Sequence, residues 1–338
     1  MKKINVAIIG FGLVGNRRKK YINQNKRFNL KFISDTRFSR NFKSKNIFFF
    51  KSYRNIPVKN LDAVFITLPN FLAPVVTKYF LKKNIHVFCE KPPAKNLADI
   101  IDVYNLYKTK KNLKLKYGFN HRYHRSVQLA KKILDDKKIG QIVNIRAIYG
   151  KSKILNFSKN NWRSKKKLAG GGILLDQGIH MLDLIRYLAG DFDEYKSFIS
   201  NKYWKYDVED NAFAIMRNKQ GIIASIHSTA TQWQHKFNLE IICSKGSVVL
   251  DGILSSTKTY GKEQLRIYPT AEPYTYKNNK KTKTFYFDDD PSWELEIKEF
   301  ADVITYKKAV KYGTIDEAIK VMKMIEKIYK NDRKVLKI

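Results

Sequence analysis

The stretch Ile4-Asn5-Val6-Ala7-Ile8-Ile9-Gly10-Phe11-Gly12-Leu13-Val14-Gly15 joins an apolar run to the glycine pattern G-x-G-x-x-G. The run predicts a buried β-strand, and a helix follows the glycines. Gly10 permits a tight turn, Gly12 lets the backbone approach a pyrophosphate, and Gly15 permits close helix–strand packing. The helix N-terminus adds N–H groups and partial positive charge toward phosphates. The stretch therefore predicts a dinucleotide site at Gly10, Phe11, Gly12, Leu13, Val14 and Gly15.

Asp35 ends the second predicted strand, about 20 residues after the loop, where the dinucleotide fingerprint places an acidic residue. A carboxylate there binds the ribose 2′-hydroxyl of NAD and repels the 2′-phosphate of NADP. Arg37 lies close by, and an arginine pairs with such a phosphate. NAD is the predicted cofactor, with NADP possible and with Asp35 and Arg37 at the ribose. A glycine turn that binds nothing is the alternative.

Strands and helices alternate through the first 120 residues, and several strands are apolar on both faces, which is typical of a parallel sheet covered by helices. From residue 142 to residue 250 strands dominate, with one predicted helix at 173–188. The lysine-rich segment 274–284 is predicted to be a loop. The predicted fold is an α/β Rossmann domain (1–120), an α+β domain with an open, mostly antiparallel sheet (121–290), and C-terminal helices that pack back near the Rossmann domain (291–338).

The composition is that of a folded, strongly basic protein: 66 Lys+Arg against 30 Asp+Glu give 338 residues a formal net charge of +36. No apolar run approaches the roughly 18 residues of a membrane-spanning helix. The lysines are scattered, which favours a solvated basic surface over a nucleic-acid site; steep salt-dependent retention on DNA or RNA would indicate the opposite. Cys89 and Cys243 show no metal-binding spacing, so we predict a cytoplasmic protein with neither disulfide nor metal.

Glu90-Lys91-Pro92 follows the fifth predicted strand directly. In a parallel sheet, ligands gather at the carboxyl ends of the strands, so Lys91 is placed where chemistry occurs. A surface turn is the alternative for such a tripeptide.

The segment from Gly170 to Asp183, GGGILLDQGIHMLD, carries ionisable residues at helical spacing. Asp176, His180 and Asp183 fall at i, i+4 and i+7 and would share one face of a helix. The three leading glycines are expected to leave the first turn open to a ligand. Ionisable groups inside an apolar helix are costly to bury without a purpose, although a core histidine held by an aspartate is the alternative.

Together these motifs resemble the Gfo/Idh/MocA family (glucose–fructose oxidoreductase, inositol dehydrogenase and MocA). The resemblance extends over nearly the whole chain and rests on the G-x-G-x-x-G start, Glu90-Lys91-Pro92, Asn120-His121-Arg122-Tyr123, Trp162-Arg163, the GGG…DxGxHxxD segment and Glu209-Asp210-Asn211. It implies an active site between the domains, a cis bond before Pro92, and a homodimer or homotetramer formed through the outer sheet face. Many members carry a histidine where this chain has Ala73, which puts one cofactor contact in doubt.

The resemblance also implies the reaction, a hydride transfer between nicotinamide and a secondary alcohol of a sugar, cyclitol or nucleotide sugar. The family's catalytic residues map onto Lys91, Asp176 and His180. His180 would accept the alcohol proton, Lys91 would stabilise charge on the oxygen, and Asp176 would hold a substrate hydroxyl. The implied cofactor contacts include Leu68, Pro69, Asn70, Glu90, Lys91, Trp162 and Arg163, and the implied substrate contacts are Lys91, Arg122, Tyr123, Asp176 and His180.

Two other functions stay open: NAD-dependent elimination or hydrolysis on a glycoside, and a catalytically silent dinucleotide-binding sensor. Binding alone does not need Lys91, Asp176 and His180 together, which argues against the sensor. Lysines 165–167, just before the glycines, suggest an anionic substrate such as a nucleotide sugar or uronate; a solvated loop is the alternative. Asp183 either orients His180 or anchors local structure, and anchoring is favoured.

Overall fold

The computed structural model describes residues 2–152, 161–255, 258–269 and 282–332. The chain forms two compact units: unit 1 comprises Met1–Asn120, Leu168–Gly170 and Ser292–Ile319, and unit 2 comprises His121–Lys167, Gly171–Pro291 and Lys320–Ile338. The segment predicted as one C-terminal piece, 291–338, is therefore divided between the units within its last helix.

The α-helices of the described residues are α1 (Leu13–Gln24), α2 (Ala73–Lys82), α3 (Leu97–Tyr107), α4 (Arg125–Asp135), α5 (Lys166–Ala169), α6 (Ile179–Ala189), α7 (Ser292–Thr305) and α8 (Ile315–Asn331). A π-helical turn, Leu174–Gly178, directly precedes α6. In the described parts of the chain, no helix is both long and apolar enough to cross a membrane.

Unit 1 contains a seven-stranded sheet. Its strands are β1 (Ile4–Ile9), β2 (Phe28–Ser34), β3 (Phe42–Ser44), β4 (Ile47–Phe50), β5 (Ala63–Ile66), β6 (His86–Glu90) and β7 (Leu115–Gly118), in the order β3-β4-β2-β1-β5-β6-β7. All neighbours are parallel except β3 and β4. The carboxyl ends of β1, β2, β5 and β6 consequently meet at one edge, which is where ligands bind in such sheets.

An aromatic cluster joins α7 to this sheet. The Phe300 ring lies 5.5 Å from that of Phe65, 5.6 Å from that of Phe88 and 6.5 Å from that of Phe28. All four rings are buried, and each contributes about 1.5–3 kcal/mol of hydrophobic free energy on burial. The first C-terminal helix thus completes the core of unit 1.

Unit 2 contains an eight-stranded sheet. Its strands are β8 (Ile142–Gly150), β9 (Glu194–Ser200), β10 (Asn211–Arg217), β11 (Ile223–Thr229), β12 (Lys236–Cys243), β13 (Gly246–Asp251), β14 (Glu263–Pro269) and β15 (Lys283–Phe287), in the order β15-β14-β13-β12-β8-β11-β10-β9. Neighbours are antiparallel except β8 and β11. The predicted fold class is therefore confirmed. Most of the predicted loop 274–284 lies outside the described residues, but Lys283 and Thr284 begin β15, where the loop prediction is wrong.

Candidate active site

The glycine loop of unit 1 has the geometry expected of a dinucleotide loop. Gly10 has φ +90°, and a Cβ on it would lie 2.6 Å from the Thr67 carbonyl oxygen. A Cβ on Gly15 would lie 2.2 Å from the Gly10 carbonyl oxygen, so the close packing of α1 on β1 requires glycine there. At Gly12, by contrast, no described atom lies within 4 Å of that position. The backbone at Gly12 is therefore open to a ligand.

The first turn of α1 fits a phosphate. Within the described residues, no side chain caps its N-terminus, and Leu13 is 73% exposed. The N–H groups of such a turn lack helical partners and favour an anion. Leu68, which follows β5, has a methyl group 3.0 Å from the place of a Gly10 Cβ and so borders the loop.

Asp35 is tied to the glycine loop. Its carboxylate accepts a hydrogen bond from the Phe11 N–H (2.6 Å) and two from the Arg37 guanidinium (2.8 and 2.9 Å). Arg37 also donates to the Phe11 carbonyl. Partial burial opposes ionisation, but these hydrogen bonds prevail and lower the pKa of Asp35 below its usual value. A fixed negative charge therefore stands beside the loop, with an exposed arginine paired to it.

Asn70 and Pro69 follow β5 at the same edge of the sheet. The buried Asn70 amide donates a 2.7 Å hydrogen bond to the Ala169 carbonyl, which belongs to the same unit. Asn70 thus anchors the start of the glycine triplet, and its contact with a cofactor stays a prediction.

Lys91 is half-buried directly after β6, and its bond to Pro92 is cis, as predicted. The Glu90 side chain bonds within unit 1, and its contact with a cofactor stays a prediction. Its carboxylate accepts a 2.5 Å hydrogen bond from the fully buried Arg18, which also bonds Glu296 at 2.6 Å. The motif therefore joins an anchored glutamate to the lysine.

The segment that carries Asp176 and His180 is not a regular helix. Asp176 lies in the π-helical turn, whereas His180 lies in the first turn of α6. Predicting one α-helical stripe was wrong in detail, since a π-helical turn contains an extra residue. Such turns occur frequently at functional sites.

The three glycines before this turn are closely packed, which corrects the expectation that they leave it open. A Cβ would lie 1.8 Å from the Lys95 carbonyl oxygen at Gly170, 2.0 Å from the Tyr329 hydroxyl at Gly171, and 2.0 Å from the Glu209 carbonyl oxygen at Gly172. Other segments of the same polypeptide approach these positions too closely for a side chain to fit. This packing explains the glycines without any ligand.

Glu209 holds the same turn through its carboxylate. It accepts hydrogen bonds from the Gly172 N–H (2.7 Å), the Leu174 N–H (3.0 Å) and the Tyr329 hydroxyl (2.8 Å), and it is fully buried. Asp210 next to it accepts from the N–H groups of Tyr203 and Trp204. The Glu209-Asp210-Asn211 motif thus builds the support of the turn.

Replacing Gly172 with alanine should therefore destabilise the protein by about 3 kcal/mol, because a new methyl group would overlap backbone atoms. Thermal or urea unfolding measures the loss. Gly12→Ala is the matched control, since its methyl group meets no described atom, and it should leave stability nearly unchanged while weakening NAD binding. Equal stability of the two variants would contradict the packing argument.

Two cations flank the Asp176 carboxylate. The Lys151 ammonium lies 3.4 Å from one oxygen, and the Arg163 guanidinium lies 3.7 Å from the other. Their attraction stabilises the carboxylate, which can then accept a hydrogen bond from a hydroxyl. The sequence does not identify Lys151 as a site residue. The only indication in the sequence is that this lysine directly follows the alternating strand β8. Arg163 was predicted at the cofactor together with Trp162, over whose ring it lies, and that contact stays a prediction.

His180 stacks face to face on His121, with ring centroids 3.8 Å apart and an angle of 13° between the rings. His121 in turn shares a 2.9 Å hydrogen bond with the Tyr149 hydroxyl. Burial raises the pKa of Tyr149 well above its usual value, so this phenol stays protonated. Two imidazolium charges at this ring separation would repel each other.

Arg122 and Asp183 form a buried ion pair, with Nε–Oδ2 and Nη2–Oδ1 distances of 2.8 and 2.5 Å. Each side chain is 1% exposed. This pair agrees with an anchoring role for Asp183, and it occupies the guanidinium that we expected to touch substrate. Tyr123 is also buried, and its substrate contact stays a prediction.

Two protein-family models match the chain. One, described as an oxidoreductase family with an NAD-binding Rossmann fold, matches residues 4–119. The other, described as the GFO/IDH/MocA C-terminal domain, matches residues 127–249. Together they extend over more than two-thirds of the sequence and include the loop, Lys91, Asp176 and His180.

Known proteins resemble the chain at moderate identity. Levoglucosan dehydrogenase of Pseudarthrobacter phenanthrenivorans is 27% identical over 57% of this chain and 56% of its own length. Glucose-6-phosphate 3-dehydrogenase of Bacillus subtilis is 27% identical over 67% of this chain and 63% of its own length. The matches thus span less than two-thirds of these relatives. The solved structure of levoglucosan dehydrogenase with NADH and levoglucosan has the same fold (TM-score 0.82, 20% identity, 98% of each chain).

Proposed function

Because the chain belongs to the Gfo/Idh/MocA family of oxidoreductases, we propose that it is an NAD(P)-dependent dehydrogenase acting on a secondary alcohol of a sugar, cyclitol or nucleotide sugar. The observation that carries the proposal is the cluster of unit 2 in which Asp176 is paired with cations and His180 is stacked on His121. A protein that only binds a dinucleotide does not need such a cluster. The curated relatives named above are sugar dehydrogenases, which supports the same substrate class.

The proposed chemistry divides the tasks among three side chains. His180 accepts the hydroxyl proton, since an imidazole takes up a proton near neutral pH. Lys91 donates a hydrogen bond to the same oxygen and stabilises its developing charge. Asp176 accepts a hydrogen bond from a neighbouring substrate hydroxyl and so orients the sugar. When bound, the nicotinamide supplies the hydride acceptor.

A panel of sugars and cyclitols with NAD or NADP tests this function. We expect reduced nicotinamide to appear in a one-to-one ratio with oxidised sugar, followed by absorbance and by product analysis. Product without net reduction of the cofactor would instead indicate elimination or hydrolysis. Dinucleotide binding without turnover on the whole panel would indicate a sensor.

We expect Asp35→Asn to shift the cofactor preference toward NADP. Asparagine keeps an oxygen for the Phe11 N–H but removes the charge that repels a 2′-phosphate, and it releases Arg37 to bind that phosphate. The ratio of kcat/KM for NADP to that for NAD should rise at least about tenfold, because like-charge contacts cost several kcal/mol. Asp62→Asn is the control: it removes the same charge from a carboxylate that accepts the Asn5 N–H. An unchanged ratio would contradict the role of Asp35.

Association through the outer face of the unit 2 sheet is part of the proposal. Phe198, Phe213 and Ile215 are 78%, 51% and 57% exposed, and Phe198 pairs with Phe213 across β9 and β10. Adjoining exposed apolar side chains mark protein interfaces. Phe213→Arg should convert a homodimer or homotetramer to a smaller species in light scattering, whereas Leu295→Arg should not. A monomeric parent protein would contradict the interface.

A cytoplasmic location is proposed from the cysteines. Cys89 and Cys243 are buried free thiols, and burial raises their pKa values to about 12 and about 11. Such thiols persist in a reducing compartment. Recovery of the native protein in the cytoplasmic fraction of its cells is the expected result.

A further inference from the structure

Unit 2 contains a cavity of about 680 Å³ that the proposed chemistry does not use. It lies beside the start of β12, the end of β13 and the start of β14, and residues 258–262 form part of its wall. Three lysines line it: Lys236, Lys258 and Lys262. All three are exposed, so their ammonium groups are hydrated.

Asp251, the acidic residue in the described lining of the cavity, does not neutralise the three lysines. Asp251 pairs with the Arg266 guanidinium at 3.0 Å and accepts a hydrogen bond from Gln264. Burial, with the nearby Lys151 ammonium, lowers the pKa of the lining residue His235, which is therefore neutral at pH 7. The described lining of the cavity is thus positive.

The backbone of this cavity is closely packed. Gly252 has φ +71°, and a Cβ on it would lie 2.2 Å from the Lys262 carbonyl oxygen and 2.9 Å from that of Tyr260. The Gly252 N–H bonds the Phe237 carbonyl at 2.9 Å. His235 shares hydrogen bonds with Thr259 (2.8 Å) and Ser152 (3.0 Å). These contacts hold the segment 258–262 against the start of β12.

Tyr260 connects this cavity to the Asp176 cluster. Tyr260 lines the cavity, and its hydroxyl accepts a 2.6 Å hydrogen bond from Gln177, the neighbour of Asp176 in sequence. Its ring lies 5.3 Å from that of Tyr149, which bonds His121. Tyr260 thus belongs to the wall of the cavity and also contacts residues next to Asp176 and His121.

The geometry points to an anion subsite: the cavity lined by Lys236, Lys258 and Lys262 binds a phosphate ester carried by the sugar substrate. A phosphate presents several acceptor oxygens to hydrated ammonium groups. The phosphate belongs either to a sugar monophosphate or to a nucleoside diphosphate sugar. This inference rests on the proposed function for the location of the sugar, but the binding of the anion can be measured without turnover.

Calorimetric titration of the NAD-loaded protein with D-glucose, D-glucose 6-phosphate and UDP-glucose tests the subsite. We expect at least one phosphorylated probe to bind about tenfold more tightly than glucose, and Lys258→Gln/Lys262→Gln to remove about that factor for it. The phosphorylated probe whose affinity falls more in this double variant identifies the source of the phosphate. Lys132→Gln/Lys219→Gln is the control, because it removes the same charge from exposed positions elsewhere in unit 2.

Three outcomes would overturn the inference: equal binding of all three probes, phosphate binding unaffected by the Lys258/Lys262 change, or an equal loss in the control variant. The last would show a general effect of net charge. If no sugar is oxidised but phosphate binding still depends on Lys258 and Lys262, the subsite is supported and the proposed function fails. If turnover of neutral sugars persists while phosphate has no effect, the proposed function is supported and the subsite fails.

Discussion

Replacing Lys91 with methionine should lower kcat by about 10²–10⁴-fold while leaving NAD affinity nearly unchanged. The ammonium is proposed to donate to the reacting oxygen, so its contribution is larger in the transition state than in the ground state. Methionine keeps the length and the apolar stem of the side chain but removes the donor. Stopped-flow absorbance measures the hydride step, and fluorescence titration measures NAD binding.

Lys83→Met serves as the control for this change, because Lys83 is an exposed lysine in the same unit, just before β6. It should keep full turnover. Arginine at position 91 is a second variant that retains charge but changes donor geometry, and it should restore only part of the rate. Full turnover by Lys91→Met would remove Lys91 from the chemistry, and a proportionate loss of NAD affinity would assign it to cofactor binding.

The sequence predicts those parts of the fold whose causes are local. The G-x-G-x-x-G loop could be predicted because its requirements, a positive φ at Gly10 and close packing at Gly15, act over a few residues. The strand pattern was sufficient for the fold class, since apolar alternation reports which face is buried. By contrast, the sequence predicts no strand at β3, β9, β14 or β15. β3 and β15 are mostly exposed at the edges of their sheets, so burial imposes no apolar alternation there.

The partners of the candidate site residues could not be predicted, because they are distant in sequence. Helical spacing grouped Asp176, His180 and Asp183, but it does not reveal the π-helical turn that contains Asp176. Asp176 lies against Lys151, and His180 stacks on His121. The glycine triplet shows the same limit, since its neighbours are up to 158 residues away in sequence, at Tyr329. Sequence spacing identified the residues, and only three-dimensional packing identifies what they touch.

Replacing Arg18 with methionine should destabilise the protein by about 3–5 kcal/mol near pH 7.5, the largest stability effect that we expect. Arg18 is fully buried between Glu90 and Glu296, and its guanidinium lies 4.4 Å from the Phe88 ring centre and 4.3 Å from that of Trp293. Removing one member of a buried ionic group leaves carboxylate charge without compensation. Arg27→Met, which breaks a partly exposed pair with Asp302, should cost at most about 1 kcal/mol.

The loss of stability caused by Arg18→Met should also depend on pH, and the pKa of Glu296 determines whether that loss grows or shrinks as pH rises. Burial raises the pKa of Glu296 from 4.5 to about 7, even though Arg18 and Lys116 oppose the shift. A carboxyl group whose pKa is higher in the folded state stabilises that state in full below pH 4.5, where the group is neutral in both states. This stabilisation is lost as pH rises through about 7. Without the guanidinium the shift increases, so Arg18→Met should lose more stability at pH 7.5 than at pH 5.

Urea unfolding of the parent, Arg18→Met and Arg18→Met/Glu296→Gln proteins at several pH values separates the two carboxylates. Glutamine at position 296 cannot ionise, so the double variant should lose most of the added pH dependence while Glu90 still lacks its partner. Glu90 directly precedes Lys91, so an unanchored Glu90 should also lower kcat in both variants. A cost for Arg18→Met that is constant from pH 5 to pH 7.5 would show that Glu296 is not the group left charged, and unaltered turnover would show that the orientation of Lys91 does not depend on this buried network.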